Sequence, residues 1–141
     1  MMLKEILDAK GRDVLTIEPT ATVADAVEKL VAHNCGSLVV CDGDRIVGII
    51  SERDVLRAVA AGRDLLDHVS VENHMTCDVI TGSPNDKVAD IMGLMTEQRI
   101  RHLPVLEGGA MSGIISIGDV VKAQHQRLTT ENHMLMTYIQ S

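Results

Sequence analysis

Apolar and polar positions along this chain follow two alternating rhythms. Residues 14–17 are a short β-branched run ended by Glu18-Pro19, which predicts a strand. Val23, Ala26, Val27, Leu30 and Val31 then recur at helical spacing, predicting one helix face buried as far as His33. Thr22 stands just before that stripe, with Asp25 three positions on, so the helix starts with a capping-box pattern. Residues 37–41 are apolar enough for a fully buried strand, Asp42-Gly43-Asp44 supplies turn chemistry, and residues 46–50 make the returning strand. A second helix is expected over 52–60, ended by Ala61-Gly62.

The same order returns further on. Residues 79–81 predict a strand, and Val88, Ile91, Met92 and Met95 line a helix. Residues 103–106 and 111–116 predict a hairpin about Glu107-Gly108-Gly109, and a last helix starts near Ile117. With a gapless shift of 65 residues, Val14, Thr16, Pro19, Val23, Ala24 and Asp25 fall on Val79, Thr81, Pro84, Val88, Ala89 and Asp90. The same shift carries Gly48-Ile49-Ile50-Ser51-Glu52-Arg53-Asp54 onto Gly113-Ile114-Ile115-Ser116-Ile117-Gly118-Asp119. Matched Gly, Pro, Ser and Asp positions do not arise from apolar periodicity, so the chain is two copies of one strand–helix–strand–strand–helix unit. The expected division is a lead-in helix over 1–13, a first repeat over 14–62, and a linker over 63–78 with a short helix at 71–75. A second repeat over 79–126 and a C-terminal helical extension over 127–141 follow. Val121, Leu128 and Leu135 are seven apart, with Tyr138 closing the stripe, which predicts a helix packed on a partner.

Composition narrows the chemistry. At 141 residues and 45% hydrophobic, the chain can bury a single compact core, whereas either copy alone would be marginal. With one Tyr, no Trp and no Phe, the core must be aliphatic, and the eight Met serve as adaptable filler. A net charge of −7 and the missing base-stacking platform argue against nucleic-acid binding. No apolar run spans a bilayer and no signal-peptide core stands at the N-terminus, so no membrane association and a cytoplasmic location are expected. Cys35, Cys41 and Cys77 form no CxxC and are read as free thiols. His74-Met75-Thr76-Cys77 offers only two metal-ligand types, too few for a zinc site. No nucleophile–base order, HExxH or P-loop occurs, so an enzyme is not expected.

The repeated motif carries the chemistry. Gly48 and Gly113 allow close backbone approach at the end of a buried strand. Ser51 and Ser116 sit where strand gives way to helix, where a hydroxyl and free backbone N–H groups suit a phosphate. Asp54 and Asp119 fall in the first helical turn, where a carboxylate can accept hydrogen bonds from vicinal sugar hydroxyls. The competing role is helix capping, common for both residue types.

These motifs, the element order and the tandem copies resemble a pair of cystathionine-β-synthase (CBS) domains, or Bateman module, over roughly residues 14–124. Arg101-His102-Leu103-Pro104-Val105, a basic-then-aliphatic strand start, adds to the resemblance. It implies an α/β (α+β) fold with two repeats in pseudo-twofold symmetry and clefts that take AMP, ADP, ATP, NAD or S-adenosylmethionine, with no resident cofactor required. It further implies phosphate contacts from Ser51, Ser116 and Arg53, and ribose contacts from Asp54 and Asp119. Thr16 and Thr81 would lie near the nucleoside, with Gly36, Ser37 and Leu38, and Arg101, His102, Leu103 and Pro104, contacting base or phosphate. Because Arg101 and His102 align with Gly36 and Ser37, positive charge stands there in one copy only. The function implied is a stand-alone, homodimeric sensor of adenosine nucleotides acting on another protein in trans. The alternative is a dimeric interaction module whose clefts are structural.

Overall fold

The computed structural model describes residues 1–62 and 66–140, so 63–65 of the expected linker lie outside the described residues. The elements run α1 (Leu3–Lys10), β1 (Thr16–Ile17), α2 (Val23–His33), β2 (Ser37–Asp42), β3 (Arg45–Ser51) and α3 (Glu52–Gly62). A 3-10 turn at Val71–Asn73 follows, then α4 (Val88–Gln98), β4 (His102–Glu107), β5 (Ala110–Ser116) and α5 (Ile117–Gln140). They form two compact units: residues 14–80, and residues 1–13 together with 81–141.

In the first unit, β1 pairs parallel with β2, and β2 pairs antiparallel with β3. Ile17, Val23, Ala26, Leu30, Leu38, Val40, Ile50, Ala58 and Val71 make its core. The expected capping box forms: Asp25 N–H donates to Thr22 Oγ1 at 3.0 Å, and Thr22 N–H donates to Asp25 Oδ2 at 3.1 Å. The buried face is narrower than the periodicity implied, since Val31 is 76% exposed. Helix α2 has by then reached its left-handed cap, Asn34 at φ 49°, whose N–H closes on Leu30 and Val31.

The second unit repeats this plan with one strand missing. Residues 79–81 form no strand; one parallel bridge, Gly82 to Val105, stands in its place. The cause is Pro104. Its counterpart Val39 donates its N–H to Leu15 O at 3.2 Å, and proline has no N–H to give. The two surviving bonds run from Gly82 N to Pro104 O and from Leu106 N to Gly82 O. The hairpin itself is conserved in detail, with register shifts between Val40 and Cys41 and between Val105 and Leu106. Gly108 and Gly109 turn it at φ 59° and 82°, angles that favour glycine at both positions.

Each unit is closed by the segment that precedes the other repeat in sequence. In the first unit, Val71 N–H donates to Ala21 O, Glu72 N–H to Pro19 O and Val23 N–H to Val69 O. In the second, Leu3 N–H donates to Asp86 O, Lys4 N–H to Pro84 O and Val88 N–H to Met1 O. The positions in the repeats keep the shift of 65, while the covering positions (Val71 and Leu3, Val69 and Met1) are 68 apart, so the covering segments match only after a slip of three residues.

That cover explains the motif glycines. A Cβ on Gly48 would stand 2.5 Å from Met75 Sδ and 2.9 Å from the Thr76 carbonyl oxygen. A Cβ on Gly113 would stand 2.5 Å from Leu7 Cδ2. The close approach is therefore the chain's own covering segment. Gly48→Ala and Gly113→Ala are expected to destabilise the protein by about 1–3 kcal/mol, the ordinary cost of overpacking. Gly48→Ala should be the worse, because a carbonyl oxygen yields less readily than a leucine methyl. Gly62→Ala, with nothing within 4 Å, is the matched control and should be neutral or mildly stabilising. Urea unfolding midpoints check the order.

Candidate functional site

Both Ser/Asp pairs lie where a hairpin strand becomes a helix, and each forms a capping box. At the first, Ser51 N–H donates to Asp54 Oδ2 at 2.9 Å, and Asp54 N–H reaches Ser51 Oγ at 3.4 Å. At the second, Ser116 N–H donates to Asp119 Oδ2 at 2.8 Å, and Asp119 N–H donates to Ser116 Oγ at 3.1 Å. The first helical amides are also engaged, Glu52 N–H with Gly36 O at 3.0 Å and Ile117 N–H with Arg101 O at 2.8 Å. The open amide cradle expected beside the serines is thus largely satisfied within the chain.

The two carboxylates then part company. Asp54 is 5% exposed, and both its oxygens are engaged. Besides the Ser51 amide, Oδ2 accepts from Ser51 Oγ at 3.1 Å, and Thr76 Oγ1 donates to Oδ1 at 3.2 Å. Asp119 keeps a 24% exposed side chain and is met by a cation, Lys10 Nζ, at 2.6 Å on Oδ2. Among the described residues, Asp119 Oδ1 has no partner. Burial by itself would raise the Asp119 pKa, but the hydrogen bonds from Lys10 and Ser116 outweigh it and hold the carboxyl below its ordinary value.

Lys10 and Thr76 occupy equivalent posts. Thr76 donates its N–H to Ile49 O at 2.8 Å and its hydroxyl to Asp54. Lys10 donates its ammonium to Ile114 O at 3.0 Å and to Asp119. Ile49 and Ile114 are matched positions, as are the aspartates. One long cationic side chain thus does the work of an extended backbone segment and a hydroxyl. Neither residue was singled out from the sequence. Both come from the covering segments and are 66 residues apart, so neither the gapless shift of 65 nor the slip of three matches them.

The remaining sequence candidates sort by unit. Around the first motif, Ser37 pairs with Ser51 across the hairpin, Gly36 precedes it, and Leu38 is fully buried in the core. Arg53 is exposed, and Thr16 lies half-buried on β1. Around the second, His102 pairs with Ser116, Arg101 is exposed, and Leu103 and Pro104 are buried. Thr81 is exposed beside the lone Gly82 bridge. The cysteines are free, and no group of three or more metal-ligating side chains occurs among the described residues.

Comparison with known proteins places this geometry in a family. The CBS-domain model matches residues 4–61 and 69–126. Over 98% of this chain and 71% of its own length, the mitochondrial CBS domain-containing protein CBSX3 of Arabidopsis thaliana is 37% identical. The crystal structure of the CBS-domain containing protein ATU1752 from Agrobacterium tumefaciens is 42% identical, with a TM-score of 0.85, over 88% of this chain and 99% of that one. The CBS domain pair of protein MJ0100, solved in complex with 5-methylthioadenosine and S-adenosyl-L-methionine, is 25% identical with a TM-score of 0.77. That match covers 87% of this chain and 98% of the other. Two family matches that each take in a covering segment and one Ser/Asp pair leave one conclusion: this chain belongs to the CBS-domain family.

Proposed function

We propose that this chain is a regulatory module that binds an adenosine-containing ligand and signals to another protein by a change of shape. The observation that carries the proposal is Asp119: a part-exposed carboxylate, held ionised and oriented by Ser116, with one oxygen open. An oriented carboxylate is the acceptor that sugar hydroxyls need. The ligands held by the MJ0100 pair support the adenosine class. In this reading Ser116 binds phosphate and Asp119 binds ribose, with Thr81, Arg101, His102, Leu103 and Pro104 around them. Thr16, Gly36, Ser37, Leu38, Ser51, Arg53 and Asp54 are the corresponding set in the first repeat. AMP, ADP, ATP, NAD and S-adenosylmethionine are the ligands to screen. The role is regulatory rather than catalytic, and we place it in the cytoplasm. Among the described residues no helix is long and apolar enough to cross a membrane.

A second reading, a dimeric interaction module with structural clefts, is favoured at the first motif alone. There Asp54 is buried and both its oxygens are engaged by the chain itself. The combined Ser116→Ala, Asp119→Ala variant is expected to lose nucleotide binding by calorimetry. It should also lose on the order of 1 kcal/mol of stability with the cap. Unchanged affinity and stoichiometry would overturn the site assignment. Asp54→Asn should instead lower stability more than affinity.

The unit that assembles is proposed to be a homodimer. On α5 every residue from 125 to 140 is exposed, including Leu128, Met134, Leu135, Tyr138 and Ile139. A free-standing helix of that length is marginal in water, so its apolar stripe is expected to be covered by a second copy. Val31 on α2 and Leu56 on α3 add exposed apolar surface. Sedimentation of the full chain and of a chain ending at Gln126 checks this. A full-length dimer that weakens on truncation is expected, and a full-length monomer at tens of micromolar would refute it.

A further inference from the structure

We infer that Lys10 decides which ligands the second motif accepts: it latches Asp119 when no ligand is bound, and favours ligands that carry a negative charge next to a sugar diol. The inference rests on the reading that Ser116 and Asp119 hold an adenosine-containing ligand. It goes beyond that reading by naming a selecting residue outside the repeated motif, together with the ligand charge that residue demands.

The argument is one of lone pairs. Asp119 Oδ2 already accepts two donors, the Ser116 amide at 2.8 Å and the Lys10 ammonium at 2.6 Å. Oδ1 is open among the described residues. One hydroxyl could bind Oδ1 with nothing moved. A vicinal diol, which needs both oxygens, must displace Lys10, because the Ser116 amide is fixed at a strand end. The displaced ammonium keeps only Ile114 O, 3.0 Å away, and has two further N–H donors. A neutral ligand would leave that charge uncompensated beside a carboxylate now engaged elsewhere. A ligand with an anionic group near its diol gives the ammonium a new partner, so the exchange is close to even.

The first motif lacks this selectivity. Thr76 holds Asp54 with a neutral hydroxyl, and the carboxylate is 5% exposed. Among the described residues no cation stands at the post that Lys10 fills at the second motif. The molecule therefore pairs a part-open carboxylate held by a cation with a closed carboxylate held by uncharged donors.

Adenosine and AMP are the probes, measured by calorimetry on the full chain with wild type, Lys10→Met and Lys10→Arg. Wild type should bind AMP more tightly than adenosine. Lys10→Met should lower that preference by roughly tenfold or more, as expected for a lost hydrogen bond to a charged group. In the same variant adenosine should bind as well as or better than in wild type, since the latch is gone. Lys10→Arg should retain the preference. Equal weakening of both ligands in Lys10→Met would make Lys10 a structural residue only and overturn the inference, as would an unchanged ratio; in either case the binding reading stands. Wild type that binds neither probe, nor any other ligand of the screen, would overturn the binding reading and the inference with it. Folding is not at risk in these variants, since α1 is anchored by Leu3 and Leu7, both fully buried. A partly exposed ion pair adds about 1 kcal/mol or less.

Discussion

The contact on which this structure turns is the crossing of a covering segment over a glycine at the end of a hairpin. Two short strands with two helices leave one strand end bare, and a bare strand end with an apolar surface is unstable in water. Met75 fills that place over Gly48, and Leu7 fills it over Gly113. Because each cover comes from the chain ahead of the other repeat, neither repeat is complete as a contiguous stretch of sequence. The second unit needs residues 1–13, which are separated from its remainder by the whole of the first unit. Structural unit and sequence repeat are thus out of phase.

The same crossing sets the chemistry of the motifs. Beyond Met75 the chain runs extended, so Thr76 bridges Ile49 in both directions, N–H to O at 2.8 Å and O to H–N at 2.9 Å, and drops its hydroxyl onto Asp54. Beyond Leu7 the chain stays helical to Lys10, so only a long side chain reaches the equivalent carbonyl and carboxylate. One local choice, strand or helix, turns two matching Ser/Asp pairs into a buried carboxylate held by uncharged donors and a part-exposed ion pair. Their identical spacing in sequence conceals this.

What the sequence showed and what it hid divide along physical lines. Capping at Thr22, the glycine turns and the apolar alternation of the hairpins are local, and local residues announce them. The strand expected at 79–81 failed for a non-local reason, because the missing N–H belongs to Pro104 on the neighbouring strand. The Ser/Asp motifs were visible as helix starts, and both their capping and binding roles could be stated. Which motif keeps an oxygen open depended on Thr76 and Lys10, tertiary partners that no periodicity marks. The left-handed caps at Asn34 and Arg99 were equally silent, since neither position holds the glycine that usually signals one.

In the proposed function, a binding event must be transmitted through something able to occupy two states. Most of α1 is unsuited to that role, because Leu3, Ile6 and Leu7 are core and their displacement would expose a large apolar area. Its last turn differs: Asp8, Ala9 and Lys10 are exposed, and Lys10 ties the end of the helix to the second motif, with Arg12 just beyond it donating to Ser112 Oγ at 2.9 Å. Gly11 follows at φ 101° and ψ 164°, a conformation that glycine adopts freely and other residues do not. From Gly11 the chain runs within a few residues into β1, the first strand of the other unit. In the proposed function, releasing Lys10 from Asp119 would free the last turn of α1, while the bond from Arg12 to Ser112 stays in place. The change needs no unfolding of either core.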